Sequence, residues 1–144
     1  MFFLQKSLCF IICLLWFSLG FAGINNPLII NFSKTQYGAA NKNWSISEDE
    51  HGILYFGNDI GLLEFDGIEW KLNKLPKAEV VRSVYVVSNN EIYTGGYEEF
   101  GKWSRQPDGE LTYTSLSKEL PTDNWQNDDI WRILPQGESI YFQS

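Results

Sequence analysis

The sequence predicts an all-β fold built from repeated, four-stranded antiparallel sheets, and three observations predict it. The first is an order of features over residues 44–70, WSISEDEHGILYFGNDIGLLEFDGIEW: strand, acidic turn, aromatic strand, Gly turn and strand, recurring downstream. The second is register. With Ile46, Val84 and Ile133 aligned, the next strand begins about eight residues later at Leu54, Ile92 and Ile140, and Tyr55, Tyr93 and Tyr141 correspond. The third is the spacing of 38 and then 49 residues, with several short strands per unit, which suits blades of a β-propeller better than any helical solenoid.

Residues 1–22 hold one cation, Lys6, an apolar run from Leu8 to Leu19, and Gly20-Phe21-Ala22 as a small-residue junction, the pattern of a secretory signal peptide. The run is shorter than the roughly 20 residues of a spanning helix. The mature chain is expected to start at Gly23, an uncleaved membrane anchor being the alternative. Residues 23–43 form an N-terminal segment in which Pro27-Leu28-Ile29-Ile30-Asn31-Phe32 is a candidate ring-closing strand.

The first blade is expected over residues 44–73. Trp44 and Ile46 alternate with Ser45 and Ser47 up to the turn Glu48-Asp49-Glu50-His51-Gly52. Ile53 to Phe56 is a continuous apolar run, Gly57-Asn58-Asp59-Ile60-Gly61 a tight turn, and residues 62–65 a third strand. After the hairpin dipeptide Asp66-Gly67, Ile68, Trp70 and Leu72 alternate with polar residues as an outer strand would. The second blade, residues 81–116, repeats this with strands at 82–87, 92–95, 100–103 and 111–114 and turns at Asn89-Asn90 and Asp108-Gly109. A third, over residues 130–144, reaches only its second strand, so about two and a half blades and a truncated propeller are expected.

The 11 Lys and Arg against 18 Asp and Glu include no basic cluster, which argues against nucleic acid as a partner of this segment. Both cysteines, Cys9 and Cys13, lie in the leader, so the mature domain has no disulfide, thiolate metal site or Cys nucleophile. Its core must come from aromatics, which are 16% of the chain.

His51 is the sole histidine and sits in an acidic turn with no G-x-S-x-G element, so a catalytic triad is not expected. Glu48-Asp49, Glu98-Glu99 and Asp128-Asp129 lack EF-hand spacing and read as solvated turns. The sequons at Asn31 and Asn43 fall in apolar, strand-like surroundings whose burial opposes modification. No cofactor or metal is expected. Two residues before each aligned aliphatic stand Trp44, Arg82 and Trp131, near the start of a channel-lining strand. Two indoles and a guanidinium there suit a sugar or sugar acid, and they also share a face with the core aliphatics, where they would pack between blades.

At Asp49-Glu50-His51-Gly52, Tyr55-Phe56-Gly57 and Gly61-Leu62, the chain resembles the two-component regulator propeller family over roughly residues 27–144. The segments NFSKTQYGAANKNW and LYFGNDIGLLEFDG are similar to the group that joins such propellers to a triple-tyrosine domain. Departures are Gly57-Asn58, Gly95-Gly96 and Gln143-Ser144 in place of Gly-Thr, and Ser88-Asn89-Asn90-Glu91 in place of the Asp-x-x-Gly turn. The resemblance implies a periplasmic, carbohydrate-responsive sensor region of an inner-membrane regulator, whose cytoplasmic effector is a histidine kinase or a LuxR-type helix-turn-helix. The expected partners are a carbohydrate ligand, downstream sensor and effector domains, the membrane through a C-terminal part, and a second copy in a full-length homodimer. No enzymatic activity is expected in these residues. Alternatives are a secreted propeller lyase or glycosidase and a protein-binding scaffold.

Overall fold

The computed structural model describes residues 27–76, 80–121 and 128–144. The chain divides into two compact units, Met1–Asn31 and Phe32–Ser144. The proposed leader, residues 1–22, lies outside the described residues. Of the first unit, residues 27–31 are described; they form no strand, and Leu28, Ile29 and Ile30 are exposed. Residues 27–32, the candidate ring-closing segment, take no strand in the structure.

The second unit opens with a short helix, α1 (Lys34–Tyr37), at whose start the Ser33 N–H donates to Gln36 Oε1 at 2.7 Å. It ends at Gly38, which takes the left-handed φ of 63°. Among the described residues ten strands follow: β1 (Asn43–Glu48), β2 (Leu54–Asn58), β3 (Gly61–Phe65), β4 (Trp70–Asn73), β5 (Ser83–Ser88), β6 (Glu91–Gly96), β7 (Glu99–Arg105), β8 (Leu111–Ser115), β9 (Arg132–Gln136) and β10 (Ser139–Gln143). They form two four-stranded sheets, β1-β2-β3-β4 and β5-β6-β7-β8, and a β9-β10 hairpin, every pair antiparallel. An all-β fold of repeated antiparallel sheets is thus what the sequence encodes.

The repeat register holds at the level of backbone pairing. Ile46 faces Phe56, Val84 faces Thr94 and Ile133 faces Phe142, so the three aligned aliphatics occupy the same place in successive hairpins. The units are also joined by the same bond twice. The Val81 N–H donates to the Asn58 carbonyl and the Ile130 N–H to the Gly96 carbonyl, both at 2.9 Å. Val81 and Ile130 each lie three residues before the aligned aliphatic, and Asn58 and Gly96 each end the second strand. The first strands of successive units lie side by side.

Glycine makes that junction possible. A Cβ at Gly57 would lie 2.7 Å from the Val81 carbonyl oxygen, and one at Gly95 would lie 2.7 Å from Ile130 Cβ. The core between the first two sheets is Tyr55 and Leu62 against Ile92 and Trp103, with Val84, Val86 and Tyr113 packed around them. Burying each such side chain contributes about 1.5–3 kcal/mol. A face of β1-β2-β3-β4 also carries an aromatic cluster: Phe65 stacks on Trp70 at 4.2 Å, and Phe32 meets both rings edge-on. Among the described residues no helix is long and apolar enough to cross a membrane.

Candidate functional site

The residues singled out by repeat position converge. Trp44 lies in β1 at a register shift between Asn43 and Ser45, while Arg82 and Trp131 immediately precede β5 and β9. The backbone places the latter two alike: the Arg82 N–H donates to the Gly95 carbonyl at 2.7 Å, and the Trp131 N–H to the Gln143 carbonyl at 2.9 Å. The Arg82 guanidinium carbon sits 3.8 Å from the Trp44 ring centroid and 5.4 Å from that of Trp131. The two indoles meet edge-to-face at 6.2 Å. One side chain from each of three successive units thus builds a single aromatic and cationic array.

Residues not anticipated from the sequence hold this array in place. Trp44 Nε1 donates to Asp59 Oδ1 at 2.7 Å, and Arg82 Nε donates to Asp129 Oδ1 at 3.1 Å. Lys42 Nζ lies 4.5 Å from the Trp44 ring centroid. Arg82 and Asp129 are each only 18% exposed, so their pair is largely shielded from solvent. This corrects the reading of Asp128-Asp129 as a solvated turn: Asp129 is an ion-pair partner 47 residues from Arg82. Separations of that size are invisible without the fold. Arg82 Nη1 is buried and has no hydrogen-bond partner among the described residues. By contrast Trp44 and Trp131 keep 37% and 52% of their surface exposed. Packing and accessibility therefore coexist, with the cation inside and the indole surfaces outside. A guanidinium stacked on indole is stabilised by about 0.5–2 kcal/mol.

The acidic turn has a different role. Asp49 is buried, its Oδ1 accepting from the His51 and Ile53 N–H groups at 2.9 Å each and its Oδ2 from Tyr55 Oη at 3.1 Å and Asn89 Nδ2 at 3.0 Å. Burial alone would raise its pKa, but these four donors outweigh it and hold the carboxyl below its ordinary value. Glu50 accepts the Asn89 N–H, so the second sheet's first turn docks on the first sheet's. Asp49, Glu50 and His51 could each offer one ligand atom within 4.8 Å of the others, yet the Asp49 oxygens are already engaged. Arg105 extends the network from the second sheet, with Nη2 donating to Tyr55 Oη at 2.8 Å and to Glu64 Oε1 at 2.7 Å. Nor are Glu98-Glu99 a solvated pair throughout, since Glu99 accepts from Tyr113 Oη at 2.9 Å. The sequon asparagines Asn31 and Asn43 are both exposed, against the burial expected of them.

No family model, curated protein or solved structure matches this chain.

Proposed function

We propose that the repeated sheets are blades of a β-propeller and that this region recognises a carbohydrate, as the ligand-sensing part of an exported signalling protein. The observation that carries the binding role is the array itself: equivalent positions in three successive units bring Trp44, Arg82 and Trp131 together, with both indoles half-exposed. Indole faces suit the C–H surfaces of sugar rings, and the adjoining guanidinium and Asp59 offer a donor and an acceptor for hydroxyls. The propeller reading is supported by the shared register of three hairpins and by first strands lying side by side. The resemblance of the Asp49 turn and of Tyr55-Phe56-Gly57 to regulator propellers supports the sensing role. In that reading the ligand biases a domain arrangement that downstream parts convey to an effector.

The test is titration with neutral and acidic oligosaccharides, following tryptophan fluorescence and heat. Because Trp131 is half-exposed and makes no side-chain hydrogen bond in the array, Trp131→Ala is expected to weaken binding about tenfold or more, at little cost to melting. Arg82→Ala is a less clean probe, since it strands the shielded Asp129 carboxylate and is expected to lower stability as well. Oligosaccharide affinity unchanged in both Trp44→Ala and Trp131→Ala would sink the proposal.

A further inference from the structure

Three residues of the first unit sit together around one indole. Trp44 lies in β1, Lys42 just before that strand and Asp59 in the turn between β2 and β3. Trp44 Nε1 donates to Asp59 Oδ1 at 2.7 Å, Lys42 Nζ lies 4.5 Å from the Trp44 ring centroid, and the Asp59 N–H donates to the Lys42 carbonyl at 3.3 Å. An ammonium and a carboxylate thus flank the same ring, and among the described residues neither is in an ion pair. The buried Asn58 fixes the geometry. Its Nδ2 donates to the Ala40 carbonyl at 2.8 Å and to Asn43 Oδ1 at 2.7 Å, and its Oδ1 accepts the Ala40 N–H at 3.1 Å, so the segment leading into β1 is clamped to the turn from the inside. The repeat itself does not require this pair. With the units aligned, Val80 stands at the position of Lys42 and Tyr97 at that of Asp59, yet the second sheet has the same four-stranded order. Arg82 is the less available donor, its Nε being committed to Asp129 and its Nη1 buried.

We propose that Lys42 and Asp59 form a hydroxyl-binding pair, and that the ligand they select is a neutral sugar ring with vicinal hydroxyls rather than a sugar acid. The inference deepens the carbohydrate reading and rests on it. One hydroxyl accepts from the Lys42 ammonium while its neighbour donates to the Asp59 carboxylate, so a neutral ring engages both charges through charge-assisted hydrogen bonds. An acid engages the ammonium alone. Its own carboxylate is set against Asp59, in a chain that already carries a formal net charge of −7. Every part of the pair lies within residues 42–59, in the first unit. Because Asn58 and the backbone bond hold both residues in place beforehand, little ordering is left to be done on binding.

The experiment is calorimetric titration of the chain with neutral trisaccharides of gluco, galacto and manno configuration, each beside the form with carboxylates in place of its hydroxymethyl groups. Where a configuration binds, the neutral form is expected to do so about tenfold or more tightly than its acid. Added salt should change that affinity little. Lys42→Met removes the ammonium from an exposed residue, so the fold should hold, checked by circular dichroism, and the neutral sugar should bind about tenfold more weakly. Lys42→Arg should restore part of the loss. Asp59→Asn keeps an oxygen for Trp44 Nε1 and removes the charge, which should narrow the preference for neutral over acid. Equal or tighter binding of the acids overturns the inference and leaves carbohydrate recognition standing, as does neutral binding indifferent to Lys42→Met. Binding of no trisaccharide, neutral or acid, overturns both.

Discussion

At the scale of the residue, Asp49 shows how one carboxylate can organise a repeat. Its four donors come from its own turn, from the core strand β2 and from the next sheet, so a single side chain ties local geometry to sheet stacking. Replacement by Asn keeps the shape but loses the charge and sets an amide nitrogen against donors. About 1–3 kcal/mol of stability should go, read as a shift of the urea midpoint. Because the folded-state pKa is lowered from 3.8, the stabilisation is fully present above that value and disappears as pH falls through the lower folded one. The wild-type chain should therefore lose stability over that acid range, and Asp49→Asn should lose less.

At the scale of the element, the second strands β2 and β6 each carry, one residue before their end, a residue whose size is set by its neighbour. Gly57 and Gly95 lie where the following unit's Val81 and Ile130 approach, whereas Gln143, the corresponding residue of β10, is exposed and carries a full side chain. Gly95→Ala places a methyl group 2.8 Å from Ser83 Oγ and on the Ile130 side chain. Overpacking of this kind costs roughly 1–3 kcal/mol. Hydrogen exchange should show it locally, since the Ile130 N–H bonded to the Gly96 carbonyl is expected to exchange faster than amides of β3, and unchanged protection there would contradict the junction.

At the scale of the whole molecule, sequence equivalence and environment separate. Ile46 and Ile133 hold the same place in their hairpins, yet one is 60% exposed and the other 9%. Ile133→Asp buries an unpaired carboxylate and is expected to destabilise by about 3 kcal/mol or more. Ile46→Asp in the single chain should cost within about 0.5 kcal/mol, as surface changes do. Thermal melts of the two variants at low concentration check this, and equal losses would mean that the units do not stack in the order described.

The sequence by itself determined the strands, the hairpin register and the correspondence of Trp44, Arg82 and Trp131. Each rests on local physics: alternation with a period of two, Asp-Gly and Asn-Asn turns, and a repeat whose offsets survive from unit to unit. That is why Ile46, Val84 and Ile133 could be aligned before any fold was known. The tertiary structure alone decided which polar residues are paired and which aligned positions are covered. Asp129 meets Arg82 from 47 residues away, and Asn89 reaches Asp49 from 40. Pairing and burial at that range depend on how sheets stack, and no short-range pattern encodes it. The segment at residues 27–32 makes the same point from the other side: its apolar run is strand-like in composition, yet it takes no strand in the structure, because a strand is completed by a partner edge that composition does not supply.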